Sequence, residues 1–61
     1  MKISADTLVA EALWECQRQH QREVNGVDPG PFSACAHYTR DYYLKAAVAL
    51  RSALARAEAV K

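Results

Sequence analysis

Asn25-Gly26-Val27-Asp28-Pro29-Gly30-Pro31 holds both glycines and both prolines of the chain, with Asn and Asp between them. Gly and Pro are the strongest local breakers of regular structure, and the remaining 54 positions contain none. One turn between two uninterrupted segments is the pattern of a helical hairpin. Upstream, Ser4 suits an N-cap, Asp6 follows in the first turn where the helix dipole favours a carboxylate, and Ile3 with Leu8 takes the positions of a hydrophobic staple. Gly26 supplies the left-handed residue that ends many helices. Downstream, Ser33 is the candidate cap, with Phe32 placed to fold back onto the first turn. The boundaries expected are a helix over about 4–25, a turn over 26–32 and a second helix over about 33–59, all within one domain spanning 1–61.

Placing residues at steps of about 100° assigns faces. In the first helix Ala5, Val9, Ala12, Leu13, Cys16 and His20 form one stripe, opposite Glu11, Glu15, Arg18 and Arg22. In the second, Ala36, Tyr43, Ala47, Leu50, Leu54 and Ala57 form a coiled-coil-like seam flanked by Cys35, Ala46 and Ala53. The fold expected is all-α: an antiparallel two-helix hairpin assembling into a helical-bundle homodimer. Some large apolar residues are left unused by both stripes. Trp14 lies off the first, Leu44 and Val48 lie more than about 90° from the centre of the second, and with the turn centred near Pro29, Trp14 and Leu44 share one level along the hairpin.

Twelve of the 31 apolar residues are Ala, in a chain of 61 residues. Large core side chains are therefore few, and at this size burial and chain entropy come close to cancelling. Self-association is the economical remedy. Eight Lys and Arg against seven Asp and Glu give a net charge of +1, which excludes a polybasic or acidic tail as the working device. Met1-Lys2-Ile3-Ser4 runs into Asp6 and Glu11 before a signal-peptide core forms, and no apolar run approaches the ~18 residues of a membrane span. Two cysteines are too few for a secreted disulfide framework. The expectation is a soluble cytoplasmic protein without contact to membrane.

Cys16 and His20 stand i, i+4, and Cys35 and His37 follow the turn, giving C-x3-H-x14-C-x-H. Zinc needs four such ligands on a tetrahedron, but residues two apart on a helix point about 200° apart, so no metal site and no cofactor is expected. Cys16 and Cys35 fall about 10 Å apart along the hairpin, beyond the reach of a disulfide, and free thiols are expected. Either Cys-His pair has the residue types of nucleophilic catalysis. Two Ala-rich helices enclose no pocket to desolvate a substrate, so no catalytic residue and no enzyme is expected.

Two binding readings remain. Trp14, Tyr38 and Tyr42 are of the types that anchor interfaces, and with Leu44 and Val48 they form the expected partner-binding set. The functional expectation is a small non-catalytic interaction module, of the kind encoded by phages and plasmids as accessory proteins that bind and modulate a larger host protein. Its partners are then a second copy and an unidentified protein. The alternative is an RNA-binding hairpin dimer. The second helix and its tail carry Arg40, Lys45, Arg51, Arg56 and Lys61 against Asp41 and Glu58, beside three tyrosines, and RNA uses both residue kinds. Arg40, Arg51 and Arg56 are the expected contacts in that case.

Overall fold

A computed structural model describes residues 4–60, so Ile3 of the expected staple and Lys61 lie outside the described residues. Two α-helices and a short 3-10 turn make up the described secondary structure. Helix α1 spans Ala5–Asn25. The Ser4 hydroxyl accepts the Thr7 N–H at 3.1 Å, satisfying one donor that the first turn leaves free. At the other end Gly26 adopts φ 67° and donates its N–H to the Arg22 carbonyl at 3.1 Å, which is the left-handed termination foreseen for it.

The second helix starts later than expected. Pro31 is extended, and its carbonyl accepts the Ala34 N–H at 3.0 Å, which closes a 3-10 turn over Phe32–Ala34. Cys35 and Ala36 are extended, and α2 spans His37–Ala59. Ser33 therefore sits inside the 3-10 turn. The N-cap of α2 is Ala36, without a side-chain cap. The tight turn presents the Phe32 ring to Tyr43, with centroids 6.4 Å apart, one helical turn deeper than the first-turn contact expected.

The helices meet along four-residue rows. Trp14 packs edge-on against Tyr43 at 5.4 Å, and Arg51 donates to Asp6 at 2.6 Å. Midway between these contacts on their respective helices, Ala10 and Ala47 are both wholly buried. Asp6-Ala10-Trp14 thus opposes Tyr43-Ala47-Arg51, an i, i+4 row on each helix. The overall extents are 41 × 30 × 19 Å.

This packing corrects the expected stripes. On α1 the inward face is rotated by one residue, about 100°: Ala10 and Trp14 are buried, whereas Ala5, Ala12, Cys16 and His20 are exposed. Trp14, expected on the surface left over by the seam, is 8% exposed and lies inside the hairpin. Its large ring fills the space beside Tyr43 and its Nε1–H finds the Gly30 carbonyl at 2.9 Å, so burial leaves no donor unsatisfied. On α2 the seam holds at Tyr43 and Ala47 but fails further on, where Leu50 is 40% and Leu54 57% exposed. By the register of the contacts above, Leu50 is level with Thr7 and points about 60° away from the buried Ala47 around α2, to the side of the contact row.

Candidate interaction surface

The antiparallel arrangement sorts the residues beside the seam. Stepping back one residue turns the side chain by about 100° in the same sense about each helix, and because the axes oppose, both steps land on the same side. The residues preceding the contact rows are Ala5, Val9 and Leu13 on α1, and Tyr42, Ala46 and Leu50 on α2. All six are uncharged, and all are exposed or half-exposed. Stepping forward instead gives Thr7, Glu11 and Glu15 on α1 with Leu44, Val48 and Ser52 on α2. The hairpin therefore has one uncharged apolar side and one side of mixed polarity.

The connecting loop closes over the mixed side. Phe32 lines an open hollow of about 390 Å³ with Thr7, His37, Arg40, Asp41 and Leu44, and a smaller one with Glu11, Glu15, Pro31 and Ser33. Arg18 holds the loop through a two-pronged pair with Asp28, Nε at 2.7 Å and Nη2 at 3.1 Å, while its Nη1 reaches Glu15 at 3.2 Å. The Gly30 N–H also donates to Asp28 at 3.0 Å. Hydrogen bonds from Arg18, and then from Gly30, lower the Asp28 carboxyl from its ordinary 3.8 to about 2, and the same carboxylates raise the Arg18 guanidinium. Burial pushes the Tyr43 phenol upward.

The five expected partner-binding residues do not gather on one surface. Trp14 is core, Leu44 is half-buried on the mixed side and Val48 is exposed there. Tyr42 lies on the apolar side, 67% exposed, and its ring is fixed edge-on against Tyr43 at 5.3 Å. Tyr38, one turn back, is also exposed. Of the expected RNA contacts, Arg51 is engaged by Asp6, and Arg40 has a buried Nε with no hydrogen-bond partner among the described residues. Arg56 is exposed and projects about 150° away from both around the helix. The three form no common patch.

Cys16 and Cys35 are free thiols, the first exposed, the second donating weakly to the Pro31 carbonyl at 3.7 Å. His37 pairs with Asp41 at 3.3 Å. No three His, Cys, Asp or Glu side chains converge among the described residues, and no helix is long and apolar enough to cross a membrane. Residue-type counting had not singled out Val9, Leu13, Ala46 and Leu50 as an interface. Their signal is positional, one residue before each seam position, and is legible only once the seam is known. Comparison with protein-family models, with curated proteins and with solved structures gives no match.

Proposed function

We propose that the chain is a non-catalytic interaction module that binds other polypeptides through its apolar side, in the manner of a small accessory protein acting on a larger one. The observation that supports this is the segregation of the flanking residues: six uncharged positions on one side, acids and the clamped loop on the other. Uncharged centres with aromatic anchors are what distinguish interface cores from ordinary surface. Tyr42 serves as the anchor because its ring is already held by Tyr43, so little rotamer freedom is lost on binding.

Binding of candidate polypeptides to wild type, Tyr42→Ala and the triple change Arg40→Ala, Arg51→Ala, Arg56→Ala tests the reading. Tyr42→Ala should weaken binding by about 2 kcal/mol or more, with the triple variant near wild type. The second reading, an RNA-binding dimer, rests on the arginines that α2 carries at Arg40, Arg51 and Arg56. It predicts the reverse ranking and a steep loss of RNA affinity between about 50 and 200 mM salt.

A further inference from the structure

The interaction reading leaves the occupant of the apolar side unnamed. We infer that it is a second copy of this chain, packed face to face so that the two hairpins make a four-helix assembly with both clamped loops outward; the inference rests on the interaction reading above.

Surface area is the first ground. A compact monomer of 6.8 kDa exposes about 3950 Å² by the relation between surface and mass. This chain exposes 4793 Å², a surplus of about 840 Å². One partner in a standard-size interface loses about 800 Å². The hairpin is thus over-exposed by one interface per copy. Its radius of gyration, 13.4 Å, exceeds the ~10.5 Å of a compact chain of this length in the same sense.

Charge is the second ground. A face that meets its own copy sets each of its charges against the same sign, and a two-fold interface repeats every such clash. Ala5, Val9, Leu13, Tyr42, Ala46 and Leu50 carry none. They also combine small and large side chains, so that Leu13 or Leu50 of one copy can seat over Ala5 or Ala46 of the other, the interdigitation that dense packing requires.

Sedimentation over about a hundredfold range of concentration, with thermal melts alongside, provides the test. Wild type should sediment at about 13.6 kDa, twice the 6.8 kDa of one chain, with a midpoint that rises with concentration. Leu50→Glu places a charge at the open-end edge of the face. Ala53→Glu adds one a turn further on, on the same side of α2 and level with Ser4, at a position already exposed in the single hairpin, so its helicity should persist. Each should weaken pairing about a hundredfold or more, as an uncompensated buried charge does, while Val48→Glu, on the other side, leaves it intact. A monomeric wild type with a fixed midpoint overturns self-pairing, as does a dimer that Val48→Glu breaks and Ala53→Glu does not. In either case a polypeptide that wild type captures and Tyr42→Ala loses preserves the interaction reading alone; capture of none sinks both.

Discussion

The two ends of the hairpin are built differently. At the loop end, Trp14, Phe32 and Tyr43 stack edge to face, the indole donates to Gly30, and Arg18 grips Asp28. At the open end one half-exposed ion pair among the described residues, Asp6 with Arg51, joins the helices, and Leu50 and Leu54 face solvent. Aromatic packing with satisfied polar edges contributes several kcal/mol, whereas an exposed ion pair contributes about 0.2 to 1 kcal/mol. Contact between two helices is therefore a poor guide to where their stability sits.

The largest blow to this asymmetry is Trp14→Ala, which removes the centre of the loop-end cluster and should cost about 3 to 5 kcal/mol, read as a shift of the urea midpoint. Loss of most helical circular dichroism at room temperature is expected, since a domain of this size has little stability in reserve. Gly26→Ala should cost about 1 kcal/mol, because φ 67° at that position strains any residue with a Cβ; an unchanged midpoint would mean the helix end tolerates repacking.

Acid should loosen the loop end selectively. The folded Asp28 carboxyl lies at about 2, below its ordinary 3.8, so its contribution is fully present above the ordinary value and disappears as pH falls toward 2. Chemical-shift titration of the Gly30 amide, which donates to Asp28, should follow that same window, and Asp28→Asn should abolish the response. Arg51→Ala gives the smallest effect, about 0.2 to 1 kcal/mol and weaker in high salt. A larger loss would show that the open end is more than an exposed bridge.

The boundaries of α1 were legible because local chemistry decides them: Ser4 has the oxygen a free N–H needs, and Gly26 has no Cβ to oppose the left-handed turn. The level of Trp14 was legible too, from counting outward from Pro29. Its direction was not. Apolar counting favoured Cys16 and Ala12, yet the inward row of α1 includes the charged Asp6, and Gln17 and Gln21 beside it are half-buried. What turns Trp14 inward is a carbonyl sixteen residues away in the loop, which no periodicity within one helix reports. The start of α2 was missed for a similar reason, since the 3-10 turn is closed by the Pro31 carbonyl rather than by the Ser33 hydroxyl. The apolar side escaped for a third: it is defined relative to a seam that the alanine-rich pattern left ambiguous.

The meeting of Ala10 with Ala47 has a mechanical consequence. With no side chain longer than a methyl at that level, the middle of the contact row is where the two rods come nearest, and it can serve as a fulcrum. Tyr43 lies about 6 Å from it along α2 and Ala59 about 18 Å, at 1.5 Å per residue. A tilt of about 10° that displaces the aromatic cluster by ~1 Å carries the end of α2 through ~3 Å. The hairpin is a lever with arms of about three to one, short and stiff at the loop, long at the tip, and whatever grips the tip acts on the loop with that mechanical advantage.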